Sequence, residues 1–106
     1  FSRLNELSGG NKAFEKEIME LFVKNTNRDI KVIDNALTNG DWTTIRAIAH
    51  GLKSSLLLFN LTELAQKVAD IERGTDNSEL IEMAVNGFRA EIINAIEEVK
   101  KSLATI

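Results

Sequence analysis

Cysteine, proline and tyrosine are absent from this chain, and its 106 residues include one histidine and one tryptophan. Without cysteine there is no disulfide, no thiolate metal site and no cysteine nucleophile. With only one histidine besides, no ligand set for a structural zinc site can be assembled. Without proline nothing forbids long helices, and the six glycines fall mostly at candidate breaks. An excess of positive charge is also missing: the formal net charge of −3 argues against a phosphate-backbone binder, so no nucleic-acid partner is expected. No apolar run approaches the ~20 residues of a membrane span, and no membrane contact is expected. The opening residues do not read as a secretory leader, so none is expected, and the sequence opens without a methionine. A chain opening at Phe1 is expected to be a domain taken from something longer.

Apolar residues make up 43% of the sequence, enough for one domain, residues 1–106, with a single core. FSRLNEL forms a short amphipathic turn or two closed by Ser8-Gly9-Gly10, and Asn11 can cap the next helix. Phe14, Ile18, Leu21, Phe22, Ile30, Ile33 and Leu37 then recur at helical spacing, so one long helix is expected. Asn25 and Thr26 weaken its stripe at a point where the chain could bend. Asn39-Gly40 is a stop and Asp41 a natural N-cap for a third helix ending near Phe59.

Asn60 tolerates the left-handed geometry of a turn, and Glu63 three residues on suggests a capping box. A fourth helix packs through Leu61, Leu64, Ala65 and Val68 and ends at Arg73-Gly74. After a polar turn from Thr75 to Ser78, the last helix carries the stripe Ile81, Ala84, Val85, Phe88, Ile92, Ala95, Ile96, Val99 and Leu103. The expected fold is all-α: an antiparallel four-helix bundle with a short additional N-terminal helix.

The third helix holds the only imidazole. At 3.6 residues per turn, Ile45, Ile48, Ala49, Leu52, Leu56 and Phe59 gather on one side. Thr43, Arg46, Ala47, His50, Lys53, Ser54 and Leu57 gather on the other. His50 therefore faces solvent, with Arg46 one turn back, Lys53 one turn on and Leu57 two turns on. The imidazole is thus held up on a rigid face beside two cations.

The run AHGLKSSLLLFNLTELAQKVADIE, starting at Ala49, resembles the histidine-containing phosphotransfer (HPt) domain of multistep phosphorelays. That family's signature is roughly A-H-x-L-K-G-S/A, an apolar stretch, a glycine, and a second helix ending in L-E or a similar pair. Ala49, His50, Leu52, Lys53 and Ser55 match, as do Ile71-Glu72. The upstream order of short helix, Gly-Gly, long helix and Gly40-Asp41 fits as well. Ser54 stands where the family usually has glycine, and Asn60 where it has the second glycine.

The resemblance implies a phosphocarrier without kinase activity of its own. His50 is the expected phosphoacceptor, taking the group from a receiver-domain aspartate and passing it to another receiver. Lys53 is expected to neutralise phosphoryl charge, and Glu72 to accept a hydrogen bond from Nδ1–H of His50. Arg46, Ala47, Ser54 and Leu57 are expected to meet the partner. No cofactor is expected in this chain, the magnesium ion being the receiver's. The resemblance also implies response-regulator receiver domains as partners, fusion to a histidine kinase, a monomeric state and a cytoplasmic location.

Other readings stand beside this one. The dimerisation domain of a histidine kinase also exposes a histidine on a helix, but there an acidic residue follows it and a proline lies a few positions on. Here Gly51 follows, and proline is absent. The phosphoacceptor domain of a chemotaxis-type kinase is a close relative. A non-catalytic helical adaptor binding through the His50/Leu57 face is the alternative without chemistry.

Overall fold

The computed structural model describes residues 2–72 and 78–105, which fold into five helices without a strand among them. Helix α1 (Ser2–Ser8) leads through Gly9 and Gly10 into α2 (Lys12–Asn39). Asn11 caps α2, its side-chain oxygen accepting from the Phe14 N–H at 3.0 Å. The helix then runs unbroken for 28 residues, through the point at Asn25-Thr26 where a bend was open. Thr26 is buried, so a polar residue sits on the inward face instead of interrupting it.

That inward face is also turned from the expected stripe. Glu15, Met19, Phe22, Thr26, Ile30, Ile33 and Ala36 are buried, whereas Phe14 and Leu21 are exposed. Phe14 and Leu21 sit one position to the side of Glu15 and Phe22, and that rotation carries them to solvent.

Two terminations share one device. At the end of α2, Gly40 takes φ 66°, donating to the Leu37 carbonyl at 3.3 Å while Asp41 N–H reaches the Ala36 carbonyl at 2.8 Å. At the end of α3 (Trp42–Leu58), Asn60 takes φ 61° and donates to Leu57, while Leu61 N–H reaches Leu56 at 3.0 Å. Both are Schellman closures, which satisfy carbonyls that a helix end leaves open. Asp41 in turn caps α3: its carboxylate accepts from Thr44 N–H at 3.2 Å and from the Thr44 hydroxyl at 2.6 Å. These bonds hold the Asp41 carboxyl below its ordinary range.

The expected capping box at Asn60 is not formed. Its side-chain oxygen instead accepts from Arg3 N–H at 3.1 Å and from the Ser2 hydroxyl at 3.4 Å. The residue that turns α3 into α4 (Thr62–Glu72) thus also caps the first turn of α1. A glycine there could make the turn but not the cap.

Leu64, Ala65, Val68 and Ile71 are the buried residues of α4. The expected stop at Arg73-Gly74 and the start of the following turn lie outside the described residues. In α5 (Ser78–Thr105), Ile81, Val85, Phe88, Ile92, Ala95, Ile96 and Val99 are buried. Ala84 is exposed, a departure from the expected stripe, because it stands at that stripe's edge beside Gly87.

Each of α2 to α5 packs on the next, and α5 closes the ring against α2. Connections of two or three residues force the antiparallel order of the first three. Bundle length follows α2 and α5, giving extents of 44 × 20 × 18 Å. Leu52, Leu56, Val68, Val85, Ile92 and Val99 are fully buried along its axis. Phe22 and Phe59 meet with ring centroids 4.5 Å apart at an interplanar angle of 46°. At the surface Arg89 forks onto Asp34 at 3.1 and 2.9 Å, tying α5 to α2. Lys67 meets Glu91 at 2.7 Å between α4 and α5.

Candidate functional site

Helix α3 buries Ile45, Ala49, Leu52 and Leu56, and this fixes which residues it can present outward. His50 is among them, with 69% of its side chain exposed. Ala47, Gly51, Ser54 and Leu57 are exposed around it, and Arg46 is half-buried one turn before it.

The α3–α4 hairpin turns at Phe59 to Leu61, so His50 and Glu72 stand at comparable distances from the turn on neighbouring, antiparallel helices. Nδ1 of His50 is hydrogen-bonded to Oε1 of Glu72. Oε2 of the same carboxylate accepts from Nζ of Lys53 at 3.2 Å. One carboxylate therefore serves two partners, one oxygen each, and Glu72 itself is only 27% exposed.

The hydrogen bond from His50, with help from Lys53 and against some burial, holds the Glu72 carboxyl below the usual carboxylate range. At neutral pH it is ionised and can only accept. The proton of the contact therefore belongs to Nδ1 of the imidazole. A neutral ring with its proton on Nδ1 keeps a lone pair on Nε2, at the far edge from Glu72.

Lys53 has a partner that the sequence did not name. Its ammonium is engaged by Glu72 across the α3–α4 interface. The spacing of α3 placed Lys53 one turn from His50 but could not show which neighbouring helix that side meets. Only α4's presence there makes it an ion pair.

No pocket need enclose this chemistry. A groove between α4 and α5, lined by Leu61, Leu64, Lys67, Glu91 and Ala95 among others, includes none of the residues around His50. The imidazole stands on an open helix face. It can meet a group presented by another macromolecule.

Residues 17–102, spanning most of α2 and the whole of α3 and α4, match the Hpt domain family. The chain belongs to that family. No curated protein and no solved structure matches it. Hpt domains are phosphocarrier modules that carry out histidine phosphotransfer in phosphorelays, and the family's partners are response-regulator receiver domains. In this Hpt domain the single imidazole falls inside the matched span, and so do Lys53 and Glu72. Helix α1 and its Asn60 cap donors, Ser2 and Arg3, lie before the match. No helix among the described residues is long and apolar enough to cross a membrane.

Proposed function

We propose that Nε2 of His50 accepts a phosphoryl group from the aspartyl phosphate of one receiver domain and delivers it to the aspartate of another. The observation that carries this reading is the contact between His50 Nδ1 and Glu72 on an otherwise exposed imidazole. In the forward step the Nε2 lone pair forms the N–P bond. The P–O bond to the donor aspartate breaks, and its electrons leave with the carboxylate. The ring gains positive charge, with its proton still on Nδ1, and Glu72 stabilises that charge through the hydrogen bond. The reverse step onto a second aspartate returns the ring to neutrality.

Glu72 is thus a positioning residue: it fixes the tautomer and orients the ring. Lys53 neutralises phosphoryl charge, and its ammonium can exchange Glu72 for a phosphoryl oxygen a short distance away. Arg46, Ala47, Ser54 and Leu57 form the surface against which the receiver closes. Leu57, 38% exposed, supplies apolar contact at its edge. The divalent cation that phosphoryl transfer uses belongs to the receiver. The module works on the cytoplasmic side, as part of a histidine kinase chain.

The test is transfer from a receiver domain charged with acetyl phosphate. The parent chain takes up label that is acid-labile and base-stable, as a phosphoramidate is. His50→Gln takes up none while keeping the parent's helical content, because the residue it replaces lies outside the core. Labelling of His50→Gln at the parent's rate would refute the reading.

A further inference from the structure

Gly51 follows the nucleophile directly and lies in the interior of α3. A glycine in a helix interior lowers stability relative to alanine, because it adds backbone freedom to the unfolded chain. Such a residue is ordinarily explained by the backbone angle or by crowding. Neither applies here. Among the described residues the positive-φ glycines are Gly9, Gly10 and Gly40, so Gly51 keeps a helical angle any residue can adopt. A Cβ built on it would meet nothing within 4 Å. Nothing among the described residues requires a glycine at this position.

Its place on the helix supplies a reason outside the molecule. Relative to His50, Lys53 lies about 60° around α3 on the side that meets Glu72, while Gly51 lies about 100° around on the other side. Ser55, one turn beyond Gly51, lines the groove that α3 forms with Ile18, Leu21 and Phe22 of α2. The flank of the imidazole toward α4 is therefore occupied by the Glu72–Lys53 pair. The flank toward α2 is bare backbone at Gly51. With Nδ1 held on the α4 flank, Nε2 is the ring atom left for the partner.

We propose that Gly51 is a specificity-determining position for phosphotransfer: the receiver's phosphoaspartate-bearing surface closes over its bare backbone to reach Nε2 of His50. This rests on the phosphoacceptor reading above. Transfer requires the aspartate oxygen, phosphorus and Nε2 in line, and a displacement of ~1 Å can cost ~100-fold in rate. A methyl group at 51 holds the receiver back by about that distance. A larger side chain holds it back further.

Gly87 provides the matched control. It too lies within a helix with open space where its Cβ would be, but on α5 beside Lys67, Asp70 and Phe88. The experiment compares Gly51→Ala, Gly51→Leu and Gly87→Ala with the parent. The donor is whichever of a panel of acetyl-phosphate-charged receiver domains transfers fastest to the parent. Both alanine variants should melt above the parent. Gly51→Ala should lose at least tenfold in kcat/KM for transfer, with kcat falling as the in-line geometry is lost, and Gly51→Leu at least a hundredfold. Gly87→Ala should transfer at the parent's rate. Equal transfer by Gly51→Ala and Gly87→Ala would overturn the inference while leaving the phosphoacceptor reading in place. A parent chain that phosphoramidate cannot label at His50 would overturn both.

Discussion

Glu72 concentrates the chemistry of this surface in one side chain. It holds Nδ1 of His50 with one oxygen and Nζ of Lys53 with the other, so it couples the tautomer of the imidazole to the Lys53 ammonium. Two substitutions separate its functions. Glu72→Gln keeps an oxygen that can accept from Nδ1–H but loses the charge, whereas Glu72→Ala loses both. Transfer rates should fall in the order parent, Gln, Ala, with the alanine variant at least roughly tenfold down, the scale of losing an orienting carboxylate behind a histidine. Stability should show a second signature. The folded state lowers this carboxyl's pKa, so its contribution is present above the unfolded value and is lost as pH falls through the lower folded value. Acid titration of the melting temperature should therefore be shallower in Glu72→Gln than in the parent. An unchanged transfer rate in Glu72→Ala would remove Glu72 from the mechanism.

At the scale of helices, the turn at Asn60 joins three of them. Its positive φ closes α3, its position starts α4, and its side chain caps α1. Replacement by glycine keeps the backbone angle and loses the cap, whereas alanine loses the cap and also strains the left-handed turn. Denaturant unfolding should therefore rank parent above Asn60→Gly above Asn60→Ala, with the alanine variant about 1–2 kcal/mol below the parent. A glycine variant less stable than the alanine variant would contradict the double role. The sequence made the turn legible, since asparagine between two apolar-periodic segments tolerates positive φ. It hid the cap on α1, because no local spacing connects Asn60 with Ser2 and Arg3. Asn11 and Asp41 were legible in full: each lies beside the helix it caps, so the partner amide is three residues away.

Across the whole molecule, the bundle was readable wherever burial repeats within one helix. The α3 stripe and nearly all of α5 follow their own apolar period. Helix α2 departs because its inward face includes Glu15 and Thr26, residues that hydropathy assigns to solvent and that packing encloses. For Glu15 the sequence offers no sign of enclosure, and Lys12 reaches its carboxylate at 3.4 Å from the surface. Among the site residues, the outward placement of His50 followed from its own helix. The alliance of Lys53 with Glu72 depended on a neighbouring helix and was not visible on α3 alone.

The proposed transfer falls on one atom, Nε2 of His50, because Nδ1 is hydrogen-bonded to Glu72. The most direct measurement is phosphorus and nitrogen NMR of the phosphorylated chain with its histidine labelled with nitrogen-15. The account predicts a single phosphoryl group bonded to Nε2 of His50, with Nδ1 still protonated and hydrogen-bonded. A phosphoryl group on Nδ1, or on an oxygen of any other residue, would contradict it.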